Sequence, residues 1–178
     1  MTREEIAFEI GRHIGSRFIY TSAAPCADYV NLSEMKEKQL CLDRFAEQMK
    51  KNGVKHIAVL LTAGEIEDYY SGRLLETYEG YGFEVLPCPI EDGSIPRNFK
   101  DFVAYVDELC NISEKDKILV HCFGGFGRTG LVVAALLIKL GSSLEKAIQT
   151  VREKKPHSIE TEQQEEFLRY YALHMGLS

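Results

Sequence analysis

Short apolar runs alternate along the chain with hydrophobic stripes that have helical spacing. The runs that predict strands lie at 17–20, 56–61, 83–90 and 118–120. The stripes that predict helices lie at 42–49, 74–78, 99–110, 144–151 and 167–175. Strands that alternate with helices predict a single α/β domain, with a mainly parallel central sheet of about 4–5 strands flanked by helices.

Hydroxyl residues mark the expected starts of several helices. Thr62 and Glu65 have the spacing of a capping box, and so do Thr161 and Gln164 before the last stripe. Ser142 precedes the stripe at 144–151 and is expected to open that helix. These signals place helix N-termini directly behind several of the predicted strands.

The stretch from 117 to 138 has the most informative pattern. A β-branched strand is followed by a glycine-rich turn, and 131–138 is apolar on all sides, as in a buried helix. Within the turn, five residues separate Cys122 from Arg128. Such a turn directs backbone N–H groups and the positive end of a helix dipole towards one point. It is expected to hold a tetrahedral oxyanion, with the phosphate-binding residues Phe123, Gly124, Gly125, Phe126, Gly127 and Arg128.

The specificity of this motif depends on its glycines. A cysteine and an arginine at this spacing arise by chance in about a quarter of comparable sequences. Two fixed glycines and a hydroxyl residue after the arginine reduce that to roughly one in several thousand. The structural alternative is a buried cysteine in a turn of the nucleotide-binding type. The surrounding strand and helix favour the anion-binding interpretation.

Composition limits the cellular location and the partners expected for this protein. The chain has 178 residues, and Lys139 ends its longest apolar run well before the roughly 18 residues needed to cross a membrane. The N-terminus lacks an apolar signal segment, so a cytoplasmic protein is expected, without a membrane partner. Five cysteines, an odd number with no Cys-x-x-Cys pair, argue against a disulfide framework and against a zinc site. The net charge of −6 disfavours nucleic acid as a partner.

The segment from His121 to Thr129 resembles the signature loop of the cysteine-dependent phosphatases, in their small dual-specificity branch. Further segments are most similar to the cyclin-dependent-kinase-associated phosphatases of that branch; they lie at 24–26, 62–65, 89–96 and 123–127. The resemblance runs from about residue 16 to the C-terminus. It implies one catalytic domain over 1–178, with 1–15 as an N-terminal extension.

Phosphoryl transfer would use these residues in distinct roles. The loop amides and the guanidinium favour a Cys122 thiolate, which can attack phosphorus and form a phosphocysteine. Arg128 can offer two parallel donors to the phosphate oxygens, and the chemistry requires no metal or cofactor. Asp92, in a loop just after the strand at 83–90, is the candidate general acid, a position that the resemblance also implies. Its alternative is a turn aspartate before glycine, and Glu91 is the nearest competitor.

Four other side chains have two interpretations each. His121 is either a satisfied core residue or orients the loop, and Thr129 either bonds locally or donates to the Cys122 sulfur. Gln164 resembles a glutamine that positions the hydrolytic water, although it also fits a capping box. Cys88 could form a regulatory disulfide with Cys122, but packing at a strand end is favoured.

Substrate class is expected from the resemblance and from the loop. The short chain implies a shallow cleft that admits phosphotyrosine, phosphoserine and phosphothreonine, on a phosphoprotein such as a phosphorylated kinase. The loop contains no lysine, which disfavours phosphoinositides. The basic residues Arg152, Lys154, Lys155 and His157 either face the site or, as the pattern favours, form a solvated helix end. The alternatives are a phosphoinositide or RNA 5′-phosphatase and a catalytically silent phospho-binding module; the sequence predicts no oligomeric state.

Overall fold

A computed structural model describes residues 7–8, 18–27 and 35–177. Within them, five strands form one sheet: β1 Ala7–Phe8, β2 Ile19–Ser22, β3 Val54–Val59, β4 Glu84–Pro87 and β5 Lys117–His121. The strand order is β1-β2-β5-β3-β4, and β2, β5, β3 and β4 run parallel to their neighbours. Only β1 is antiparallel, on the outer edge beside β2. The predicted α/β fold with a mainly parallel sheet is confirmed.

Seven helices are present in the described residues: α1 Met35–Lys51, α2 Ala63–Tyr70, α3 Leu74–Gly80, α4 Phe99–Ser113, α5 Gly127–Lys139, α6 Leu144–Lys154 and α7 Glu162–His174. The Thr62–Glu65 capping box is present and begins α2. The expected start of α6 is wrong by one residue, because the Ser143 hydroxyl, not that of Ser142, accepts the cap hydrogen bond, from the Lys146 amide. Thr161 caps α7 as predicted.

The sheet is covered on both faces, which explains why its inner strands are apolar throughout. One face packs against α4 to α7, and the other packs against α1 to α3. Successive residues of β5 alternate between these layers: Ile118 and Val120 face the first, and Leu119 faces the second. The continuous apolar pattern of β3 and β5 therefore follows from burial on two sides.

The carboxyl ends of the four parallel strands lie along one edge of the sheet. The chain leaves β2 towards Ala24, β3 towards Thr62, β4 towards Asp92 and β5 towards Cys122. Ligand sites of parallel α/β sheets lie in the crevice outside these ends. The segments that follow all four strands are therefore in position to contribute to one site.

The predicted N-terminal extension over 1–15 contains β1, whose residues pair with Thr21 and Ser22. Residues 1–6 and 9–17 lie outside the described residues. The domain limits therefore remain predictions. Among the described helices, none combines the length and apolar character needed to cross a membrane.

The cysteine count argued against a disulfide framework, but one pair of cysteines is bonded in the described residues. Cys26, just after β2, is bonded to Cys41 in α1, with a Cα–Cα distance of 6.1 Å. That separation lies in the ordinary range for a disulfide. An odd number of cysteines means that at least one stays unpaired. It does not prevent two of the others from forming a disulfide.

Candidate active site

The loop between β5 and α5 curls around one sulfur atom. Cys122 follows directly after β5 and is buried, and the backbone N–H of Gly125 donates to its Sγ at 3.1 Å. Gly125 has φ +75°, and a methyl group there would overlap the Ser22 carbonyl oxygen. Position 125 therefore requires glycine both for its conformation and for its space. The sulfur thus lies in the loop that leads into α5, with one backbone amide directed at it.

Arg128, in the first turn of α5, is the most highly connected charged side chain of the site. Its Nη1 and Nη2 donate to the two carboxylate oxygens of Glu65, each at 2.8 Å. Nη1 also donates to the Ile90 carbonyl at 2.9 Å, and Nη2 lies 2.9 Å from Asp92 Oδ1. Within the described residues, Nε is buried without a partner. The Glu65 pair thus holds the Nη1–Nη2 edge of the guanidinium, and an oxyanion that displaces Asp92 from Nη2 could bind the Nε–Nη2 edge.

Glu65 is a functional residue that the sequence pattern identified only as a helix cap. Burial opposes its ionisation, but hydrogen bonds from Arg128 and Thr62 outweigh burial and lower its pKa below the ordinary value. Burial likewise opposes the charge of Arg128, yet Glu65, Cys122 and Asp92 together raise its pKa. One carboxylate therefore caps α2 and fixes the guanidinium. The sequence signal that could have indicated this second role is the family resemblance at 62–65, because a helix cap alone does not require resemblance to one family.

Asp92, the candidate general acid, lies in the loop beyond the end of β4. Its side chain is 81% exposed, and its Oδ1 contacts Arg128 Nη2 at 2.9 Å. Glu91, the competitor, instead pairs with Arg97 on the surface at 2.8 Å. The structure therefore brings Asp92, and not Glu91, to the guanidinium beside Cys122.

His121 is fully buried beneath the loop. Its Nδ1 lies 3.0 Å from the Cys122 carbonyl oxygen, and its Nε2 lies 3.1 Å from the Tyr78 hydroxyl. A carbonyl can only accept, so Nδ1 carries the proton and Nε2 accepts from Tyr78. Burial, with the charge of Arg128 as a smaller cause, lowers the pKa of His121 to about 4. His121 is therefore neutral and holds the backbone of Cys122 in place.

This neutral histidine should make the fold sensitive to acid. Between about pH 6.5 and pH 4 the unfolded chain binds a proton at position 121 and the folded chain does not, so stability falls as the pH falls. A pKa lowered from 6.5 to about 4 corresponds to a loss of roughly 3 kcal/mol in the free energy of unfolding. Urea denaturation of the wild type and His121→Asn over this range should show a shallower pH dependence in the variant. His174→Asn, in the exposed last turn of α7, is the control, and equal slopes for all three proteins would contradict the prediction.

Thr129 and Gln164 are both buried near the loop, but their contacts differ from the predicted ones. Thr129 Oγ1 has no partner in the described part of the chain, so the predicted bond to the Cys122 sulfur is not formed. Gln164 does not complete the capping box: its Oε1 accepts from the Glu160 amide, and its Nε2 donates to the Ser94 carbonyl. Gln164 therefore connects the start of α7 to the loop that carries the candidate acid. One amide hydrogen and one lone pair remain available on it.

The basic cluster at the end of α6 is not simply a solvated helix end. Lys155 Nζ donates to the Gly124 carbonyl at 2.9 Å and lies 3.9 Å from the centre of the Phe126 ring. Arg152 instead binds the backbone after α6 and pairs with Glu165. The favoured interpretation is therefore wrong for Lys155. Sequence separation concealed this contact, because residues 124 and 155 meet only after α5 and α6 have packed.

Cys88 cannot pair with Cys122 without movement of the backbone. Val59 in β3 pairs with Pro87 on one side and with His121 on the other, so the two cysteines flank β3. Two strand spacings put their Cα atoms about 9.5 Å apart, beyond the roughly 7 Å that a disulfide spans. Burial raises the pKa of the Cys88 thiol to about 11, which makes it unreactive. The packing interpretation of Cys88 is the one that this geometry favours.

Comparison with known sequences gives relatives of one kind. The family described as Cyclin-dependent kinase inhibitor 3 matches residues 6–150. Cyclin-dependent kinase inhibitor 3 of Rattus norvegicus and that of Homo sapiens are each 30% identical over 140 residues, which is 74% of this chain and 66% of theirs. The match thus covers just under two thirds of those relatives. Protein tyrosine phosphatase type IVA 2 of Mus musculus is 30% identical over 129 residues, 68% of this chain and 70% of its own.

Solved structures agree with these sequence matches. Kinase associated phosphatase, with its catalytic cysteine replaced by serine, superposes with a TM-score of 0.81 at 27% identity. That match covers 97% of this chain and 95% of the other. The phosphatase Tk-PTP in its active form gives a TM-score of 0.72 at 29% identity, over 96% and 98% of the two chains. The resemblance inferred from the signature loop is therefore confirmed over almost the whole fold, and the chain belongs to the cyclin-dependent kinase inhibitor 3 family of phosphatases.

Proposed function

We propose that this protein hydrolyses phosphotyrosine and phosphoserine or phosphothreonine in proteins through a phosphocysteine intermediate. The observation that carries this proposal is the position of Cys122 Sγ on the floor of the loop, beneath the Gly125 amide. The Arg128 guanidinium stands beside it with one edge unoccupied by Glu65. A phosphate monoester is the ligand that these donors and this nucleophile fit together.

The first half of the reaction transfers the phosphoryl group to sulfur. The ester phosphate binds the loop amides and the Nε–Nη2 edge of Arg128, which displaces Asp92 from Nη2. The Cys122 thiolate forms a bond to phosphorus as the bond from phosphorus to the substrate oxygen breaks. Asp92 gives its proton to that leaving oxygen.

The second half hydrolyses the phosphocysteine. Asp92, now a carboxylate, accepts a proton from water, and that water attacks phosphorus while the bond to sulfur breaks. Thr129, whose Oγ1 is without a partner in the described residues, is the proposed donor to the departing thiolate. Gln164, with one free amide hydrogen, is the proposed residue that orients the water. No step requires a metal ion.

A phosphorylated protein kinase is the proposed physiological substrate. Support comes from the relatives, one of which is named for inhibition of a cyclin-dependent kinase and another for association with a kinase. A phosphothreonine or phosphotyrosine in a kinase activation segment presents the ester in an extended peptide, which a shallow site admits. The site residues described above bind the phosphate group. The choice of a kinase as the substrate therefore rests on family membership.

A substrate panel tests the proposal. We expect turnover of p-nitrophenyl phosphate and of phosphopeptides from a kinase activation segment, and a phosphoenzyme one phosphoryl group heavier in intact-mass spectra after rapid quenching. Exclusive turnover of phosphoinositide vesicles or of 5′-triphosphorylated RNA would replace this function with a phosphoinositide or RNA 5′-phosphatase. Tight binding of phosphopeptide without product or phosphoenzyme would identify a silent phospho-binding module.

Replacement of Asp92 tests its role as the general acid. Asp92→Asn should lower kcat for a phosphothreonine peptide by about a hundredfold or more, because the poor alkoxide leaving group needs a proton. The defect should be smaller for p-nitrophenyl phosphate, whose leaving group is stable as an anion. Glu91→Gln is the matched control, since this neighbour pairs with Arg97 on the surface. A larger loss of kcat in Glu91→Gln than in Asp92→Asn would identify Glu91, and not Asp92, as the general acid.

A further inference from the structure

Lys155 contacts the signature loop from outside. It is the C-cap residue of α6, 31 residues beyond Gly124, and its half-buried ammonium donates to the Gly124 carbonyl at 2.9 Å. The same Nζ lies over the Phe126 ring, 3.9 Å from its centre. A hydrogen bond and a cation–π contact therefore hold one cation against two residues of the loop.

The peptide bond between Gly124 and Gly125 connects this cation to the nucleophile. In a planar trans peptide the C=O and the following N–H point in opposite directions. The carbonyl of Gly124 points to Lys155 Nζ, and the N–H of Gly125 points to Cys122 Sγ at 3.1 Å. Because the peptide is rigid, the contact on its outer side fixes the direction of the donor on its inner side. The cation also polarises this peptide and strengthens the donor.

The surroundings of this peptide leave it little freedom. Gly125 lies between the Ser22 carbonyl and Lys155, and a methyl group on it would come within 2.7 Å of Nζ. On the adjoining side, the Ala24 amide donates to the Phe123 carbonyl at 2.8 Å. The end of β2 and the end of α6 thus brace the loop from both sides.

The pKa of Lys155 responds both to its partial burial and to charged groups of the site. Burial lowers its pKa, while Cys122 and Glu160 act in the opposite direction. Arg128, a second cation at the loop, is paired with both Glu65 and Asp92.

We propose that Lys155 is a positioning residue of the phosphate-binding loop, which acts through the Gly124–Gly125 peptide to direct the Gly125 amide at Cys122. The proposal deepens the proposed function and rests on Cys122 as its nucleophile. The test measures the reactivity of Cys122 towards alkylating reagents. This reactivity can be measured even if the protein does not hydrolyse a phosphate ester, so the two proposals can fail separately.

Alkylation of Cys122 by two reagents of different charge tests the proposal. In each reaction the thiolate forms a bond to carbon as iodide leaves, and peptide mass spectrometry counts Cys122 alone. Lys155→Met should lower the rate with iodoacetamide, and should lower the rate with anionic iodoacetate about threefold further, because a positive charge near the sulfur is lost. Lys155→Arg, which retains the charge, the donor and the aromatic contact, should keep both rates within about twofold of the wild type.

The matched control is Lys154→Met, which removes the same charge from the exposed neighbour. An equal loss of alkylation rate in Lys154→Met and Lys155→Met would show that the effect comes from net charge alone, which would overturn the proposal. Unchanged alkylation rates in Lys155→Met would overturn it as well. One measurement needs no variant: the Gly125 amide of the wild type should exchange its hydrogen slowly, as a bonded donor. Rapid exchange of that amide in the folded protein would contradict the geometry on which the proposal depends.

Discussion

Cys122→Ser is expected to lower kcat for p-nitrophenyl phosphate by about 10⁴-fold or more, the scale of loss seen when a nucleophile is removed. A serine hydroxyl is not ionised at neutral pH and is a much weaker nucleophile than a thiolate. No phosphoenzyme should form. Binding of phosphopeptide should survive, because the substitution leaves the unpartnered Nε of Arg128 in place to donate to the phosphate.

Calorimetry with a phosphothreonine peptide and intact-mass spectra measure these two outcomes separately. Cys88→Ser is the matched control, since Cys88 is a half-buried thiol just after β4, on the other side of β3 from Cys122. It should retain activity within about twofold. A turnover-competent Cys122→Ser, or a loss of activity in Cys88→Ser as large as that in Cys122→Ser, would overturn the assignment of the nucleophile.

Arg128→Lys should lower kcat/KM by about a thousandfold, although it preserves the charge. The guanidinium uses one edge for Glu65 and keeps the other for the phosphate, and an ammonium has no such pair of edges. Loss of preorganised donors to the equatorial oxygens removes stabilisation that is greatest in the transition state. The fold should also lose about 1–3 kcal/mol, because Glu65 and the Ile90 carbonyl lose hydrogen bonds in a buried setting.

Steady-state kinetics and urea denaturation distinguish these two effects. Arg97→Lys, on an exposed arginine near the acid loop, should change neither quantity appreciably. A variant Glu65→Gln should share part of the stability loss, and the double variant should lose less than the sum of the two single losses. Additive losses would show that the Glu65–Arg128 pair does not act as a unit.

The central part of the site was predictable because its signal is local. Cys122, the loop glycines and Arg128 lie within seven residues of chain, and the flanking apolar runs mark the strand and the helix. The fold class followed for a similar reason, because continuous apolar runs indicate a sheet covered on both sides. Even the convergence of Asp92 on the loop follows from the rule that parallel strands end at one edge.

The rest of the site depends on side-chain reach between distant segments. Glu65 satisfied a local pattern, the helix cap, and that pattern concealed its second partner 63 residues away. Lys155 has the composition of a solvated helix end, and only the packing of α5 against α6 reveals its contact with the loop. The Cys26–Cys41 bond was missed because a cysteine count contains no distances. Periodicity reports which face of an element is buried, not which atoms meet beyond its end.

The position of β5 in the middle of the sheet has a consequence for how activity is acquired during folding. Its two partners, β2 and β3, precede it by roughly 100 and 60 residues, and both pairings are parallel. Such pairings have high contact order and form slowly, since long loops must close first. Cys122 thus takes its place above the sheet only once these distant segments have assembled, and the proposed activity would report on completion of the native topology.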